Sequence, residues 1–102
     1  MRLEFYSEEK LKNEIRRIIS KYLDLDKCKI FFFGSRVEGD NFPRADIDIG
    51  IEGPEKIPAR IKLRIEEEID QLPTLYKFDV VDFKNISGKF RKEALKHIEY
   101  VK

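Results

Sequence analysis

Cysteine, methionine and tryptophan are nearly missing from this chain: it has one Cys, one Met and no Trp in 102 residues. The single thiol, Cys28, excludes a disulfide framework and a cysteine-based zinc site, and reads as a small packing residue. No apolar run approaches the roughly 18 residues of a membrane span. The first residues carry Glu4, Glu8 and Glu9 where a signal region would be apolar, so a soluble, cytoplasmic protein is expected. Charge of one sign is also lacking, since 21 Lys and Arg face 20 Asp and Glu for a formal +1. That balance gives no strong nucleic-acid signal, which would need basic residues massed among aromatics. Repeats, linkers and low-complexity segments are absent. What remains is a chain 41% apolar and 40% charged, far more charged than the average of about 25%. Its length predicts one domain over residues 1–102 with a modest core.

Taken in order, Leu11, Ile15, Ile18, Ile19 and Tyr22 share one helix face, predicting a helix over 7–23 capped by Ser7. A turn is expected at Asp24-Leu25-Asp26. Lys29 to Phe33 is a short apolar run ended by Gly34, hence a buried strand whose phenylalanines belong to the core. A short helical turn after Ser35, then a loop, is expected through residue 44. Asp46 to Ile51 alternates acid with isoleucine, the period of a half-buried strand. Ile57, Ile61, Ile65, Ile69 and Leu72 then recur at helical spacing, with Pro58 in the first turn, Pro73 at the stop, and outer pairs Lys62–Glu66 and Arg64–Glu68. Tyr76 to Phe83 predicts a third strand. Ser87 caps a last helix with Phe90, Ala94, Leu95, Ile98 and Val101 as its apolar stripe. This order predicts an α/β (α+β) fold, a small mixed three-stranded sheet covered by helices, its first two strands antiparallel.

Two short stretches carry chemistry. Alternation puts Asp46 and Asp48 on one side of a strand, where like charges repel unless a cation neutralises them. Hard oxygen donors suit Mg²⁺ or Mn²⁺. Gly34-Ser35-Arg36, following a buried strand, offers a tight turn, exposed N–H groups, a hydroxyl and a guanidinium to a phosphate. Alone, each stretch has an ordinary explanation as a turn or a solvated strand edge; together they describe a phosphate grip facing a metal grip. Asp79 is a third acid in an apolar strand. By strand parity Asp79 and Asp82 point to opposite faces, so only one of them can join the pair. Lys77 and Arg44 read as solvated charges, and His97 as an exposed residue near a helix end.

Gly34-Ser35, ten intervening residues and Asp46-x-Asp48 resemble the signature of the polymerase beta-like nucleotidyltransferases. The whole chain resembles their minimal nucleotidyltransferase (MNT) branch, including the later strand Phe78 to Phe83. The chain departs from the commonest pattern at Val37, Glu38 and Ala45, none of which is a metal ligand. The resemblance implies that Gly34 and Ser35, aided by Arg36, hold the phosphates of a nucleoside triphosphate, with ATP as substrate. It implies that Asp46 and Asp48 ligate two Mg²⁺ ions, and that Asp79 completes the metal site nearest the acceptor and helps to deprotonate it. It further implies an antitoxin that adenylylates a tyrosine of a HEPN-domain toxin. Once three strands and their helices are counted, no residues remain for an acceptor-binding domain, so a partner is expected to supply that surface. The alternative is a non-catalytic binding module that neutralises or scaffolds such a partner by contact alone. Pairing as a homo- or hetero-oligomer fits a small domain with Phe-rich strands.

Overall fold

Ser7 starts the first helix as a cap should, its Oγ accepting the Lys10 amide at 3.2 Å. In the computed structural model, which describes residues 3, 6–34, 37 and 46–102, this helix is α1, Glu8–Ser20, and Leu11, Ile15, Ile18 and Ile19 are its buried face. Tyr22, expected in the helix, lies just beyond it. The predicted turn at Asp24 is a single 3-10 turn, Leu25–Lys27, with the Asp24 side chain accepting the Asp26 amide. β1 (Lys29–Phe33) runs to the middle of the sheet. β2 (Ile47–Glu52) returns antiparallel to it, with Phe33 opposite Asp48 and Phe31 opposite Gly50.

α2 (Ala59–Asp70) then crosses to β3 (Phe78–Asp82), which pairs parallel with β2. Pro58 stands at the N-cap of α2, one position ahead of the expected first turn. Lys62 and Glu66 pair at 3.3 Å. The expected Arg64–Glu68 pair is replaced by a tie between helices: Glu68 takes Lys21 Nζ at 2.5 Å and accepts the Tyr22 hydroxyl. Ser87 caps α3 (Gly88–Ala94), its Oγ accepting the Phe90 amide.

The last helix ends earlier than the stripe predicts, and a fourth strand follows. Ile98–Tyr100 forms β4, antiparallel to β1, so the sheet order is β3-β2-β1-β4 and the three-stranded expectation is corrected to four. Ile98 and Val101 keep helical spacing with Phe90 and Ala94, but the free side of β1 decides their fate. An unpaired edge beside so apolar a strand would leave buried amides without partners. Alternation then sorts the segment. Ile98 joins the phenylalanine face, Glu99 faces α1 and meets Lys12 at 3.2 Å, and Val101 enters the main core.

The two faces of the sheet differ. Ile30, Phe32, Ile47, Ile49 and Ile51 lie under α1 and α2 with no exposed surface. Phe31, Phe33 and Phe83 form a smaller cluster on the opposite face, beneath α3. Phe31 and Phe83 meet edge to face at 4.7 Å, filling the space over Gly50, where a Cβ would strike both rings. Among the described residues no helix is long and apolar enough to cross a membrane.

Candidate active site

The carboxylates stand where the phenylalanine face ends. Ile47, Ile49 and Ile51 are fully buried on one side of β2, so the pleat turns Asp48 to the other. Parallel register sets Asp79 of β3 beside Asp48. Asp79 is exposed and Asp48 partly buried. Asp46 precedes β2 by one residue and is exposed. Its charge reaches Asp48, whose pKa is pushed up to about 6 by burial first, then by repulsion from Asp79 and Asp46.

Gly34 closes the site from the end of β1. Its φ of 89° lies in the left-handed region, and a Cβ there would run into the Asp48 carboxylate. Only glycine satisfies both conditions. The Val37 amide donates to the Gly34 carbonyl at 3.1 Å, bringing Val37 back against the end of the strand. Ser35 and Arg36, expected to grip phosphate, lie outside the described residues, as do Glu38, Arg44 and the helical turn expected after Ser35.

Asp82 resolves the competition raised by parity. It is 5% exposed and sits on the isoleucine side. Its Oδ2 accepts the Ile57 amide at 2.7 Å and its Oδ1 the Lys84 amide at 2.9 Å. Both oxygens are engaged in fixing the chain around β3, away from Asp48.

Among the described residues no Lys or Arg forms an ion pair with Asp46, Asp48 or Asp79. Nor does any group of three or more described His, Cys, Asp or Glu make a ready metal cage. Asp48 and Asp79, side by side in register, are hard oxygen donors of the kind Mg²⁺ takes, one or two carboxylates at a time, with water and substrate phosphate oxygens filling its octahedron. Burial and like charge disfavour the charged form of Asp48, a penalty that a cation beside it would offset.

A cleft of about 360 Å³ opens in front of the acids, bounded by Gly34, Asp48 and Asp79 on the sheet and by Phe90 and Glu93 on α3. The sequence signalled the first three. Phe90 and Glu93 were hidden, because Phe90 looks like one more member of an apolar stripe and Glu93 like a solvated charge. A hollow of about 210 Å³ lies at the opposite end of β2, between Cys28 and the 53–58 connection. Burial pushes the Cys28 thiol pKa up, away from the thiolate form that reacts. His97, expected on the last helix, falls in the exposed turn between α3 and β4.

Comparison with curated proteins finds no sequence match. Solved structures do match in fold. A chain of the crystal structure of a toxin–antitoxin with AMP-PNP superposes with a TM-score of 0.74 at 17% identity, over 89% of this chain and 72% of that one. A chain of the complex between tri-AMPylated Shewanella oneidensis HEPN toxin and MNT antitoxin gives a TM-score of 0.72 at 15% identity, over 94% and 72%. Identities this low establish a shared fold. The family is settled by sequence: the model of the family described as polymerase beta, nucleotidyltransferase, matches residues 13–101. The chain belongs to the polymerase beta nucleotidyltransferase family.

Proposed function

We propose that residues 1–102 form one nucleotidyltransferase domain that moves AMP from ATP to a tyrosine hydroxyl of a HEPN-type partner, acting as an antitoxin in the cytoplasm. The observation that carries this reading is the register of β2 and β3, which sets Asp79 beside Asp48 at the mouth of a cleft closed by Gly34. Structures of the same fold, one with AMP-PNP and one with a tri-AMPylated HEPN toxin, support the donor and the kind of acceptor.

Each residue has a task. Gly34, without a side chain, admits phosphate oxygens against the backbone; Ser35 and Arg36 add a hydroxyl and a guanidinium to hold the β- and γ-phosphates. Asp46, Asp48 and Asp79 would hold Mg²⁺, which neutralises their charge and stabilises the entering and leaving oxygens at the α-phosphate. Asp79, exposed at the solvent edge, accepts the phenolic proton as the new O–P bond forms. The bond between the α-phosphate and its bridging oxygen breaks, and pyrophosphate leaves on the Gly34 side. The products are the O-adenylylated tyrosine and pyrophosphate, the proton passing to solvent.

The test is co-purification of the chain with its partner and incubation with Mg²⁺ and α-labelled ATP. Label is expected on the partner's tyrosine, and Asp46→Asn is expected to abolish it. An unlabelled partner that Asp46→Asn still neutralises in cells would leave contact alone as the mechanism.

A further inference from the structure

The cleft has a wall that phosphate and metal chemistry leave unused. Phe90 lines it from α3 and is 43% exposed, although it is the bulkiest apolar side chain of its helix. Its ring is not loose. Phe33 meets it edge to face with centroids 6.2 Å apart, and Phe83 meets it at 6.2 Å and 55°. Two buried rings thus fix the orientation of a third that borders the reaction cleft.

We propose that Phe90 is the platform on which the nucleobase of the donor nucleotide stacks, an inference that rests on the reading of this cleft as a nucleoside triphosphate site. The layout of the sheet favours the base over the acceptor ring. Asp79 on β3, Asp48 on β2 and Gly34 just past the end of β1 follow one another across three neighbouring strands, two strand spacings or about 10 Å. In-line displacement lays pyrophosphate, α-phosphate and acceptor oxygen along that direction. Only the nucleoside branches off it, at the α-phosphate. Turned along the strands over the sheet face, that branch meets α3 and the Phe90 ring. A phenol arriving at Asp79 stays on the line and does not need this wall. The charged neighbour on the wall, Glu93, is engaged by Lys96 Nζ at 2.9 Å. Stacking accepts any π-face, so ATP and GTP are expected to bind within a few-fold of each other.

The experiment is calorimetric titration of the full chain, in Mg²⁺, with ATP and with inorganic tripolyphosphate as a probe that lacks the base. Wild type is expected to bind both. Phe90→Ala and the bulk-preserving Phe90→Leu are expected to weaken ATP about tenfold, the scale of one lost base stack, while tripolyphosphate stays within about twofold. Phe90→Trp is expected to restore ATP. ATP affinity unchanged in Phe90→Ala would overturn the stacking role while leaving the nucleotidyltransferase reading intact. Equal weakening of both ligands, or a raised acceptor KM with ATP affinity unchanged, would overturn it as well, by showing a general distortion or an acceptor platform. Failure of wild type to bind either ligand would sink the site reading itself, and this inference with it.

Discussion

Asp48 pays a cost for its half-buried position beside two like charges. Its pKa rises from 3.8 to about 6 because burial and the charges of Asp79 and Asp46 oppose ionisation. A carboxyl whose pKa is raised by folding binds protons more tightly in the native state. Its contribution is therefore complete below pH 4 and is lost as pH climbs to 6. Unscreened, that rise is worth about 3 kcal/mol; solvent at this partly exposed group reduces it to about 1 kcal/mol. In metal-free buffer at pH 7, Asp48→Asn is thus expected to be about 1 kcal/mol more stable than wild type, with the difference vanishing near pH 4, in thermal melts across that range. Added Mg²⁺ should raise the wild-type Tm and move the variant less. The two acids of β3 should separate cleanly in urea titrations. Asp82→Ala strands the buried Ile57 amide and the part-buried Lys84 amide and is expected to cost about 1–3 kcal/mol. Asp79→Asn is expected to leave stability within about 0.5 kcal/mol while abolishing transfer. Gly34→Ala, strained in φ and driven into the Asp48 carboxylate, is expected to cost more than about 1 kcal/mol.

At the level of elements, what could be read from the sequence was what local physics decides. Ser7 and Ser87 cap their helices because a side-chain oxygen three residues ahead satisfies an orphan amide wherever the fold goes. The Asp and Ile alternation of β2 placed Asp46 and Asp48 apart from the core, and parity separated Asp79 from Asp82, because a period of two is geometric. The fourth strand was not legible. Ile98-Glu99-Tyr100 is three residues long, fits a helical stripe equally well, and is fixed by the free side of β1, which lies 65 or more positions away in sequence. Phe90 was hidden for the same reason, since its exposure depends on where α3 lands. Arg91 anchors that helix to β2 through a two-pronged contact with Glu52, Nε to Oε2 at 3.1 Å and Nη2 to Oε1 at 3.0 Å. Arg91→Ala is expected to cost under about 1 kcal/mol in stability. Gly50→Ala, driven into the Phe31 and Phe83 rings, is expected to cost about 1–3 kcal/mol by overpacking, read by urea denaturation.

Across the whole molecule the two faces of one sheet divide the labour. Helices α1 and α2 bury the isoleucine face and carry most of the core. Among the described residues the opposite face is covered by α3 and its flanking residues Ile86 and Leu95, and Asp48 and Asp79 stand at the end of that face. Charge is balanced rather than massed, with 21 Lys and Arg against 20 Asp and Glu, so no single-signed field is expected from composition to steer ligands. The family match and the cleft agree on nucleotidyl transfer, which predicts a single decisive assay. The chain, purified with its partner, is given Mg²⁺ and ATP labelled at the α-phosphate, and transfer is followed with wild type and Asp48→Asn in parallel. Label on a partner tyrosine with wild type, and none with a folded Asp48→Asn, is the expected result. A wild-type complex that binds ATP yet transfers no label, or an Asp48→Asn chain that labels as well as wild type, would contradict it.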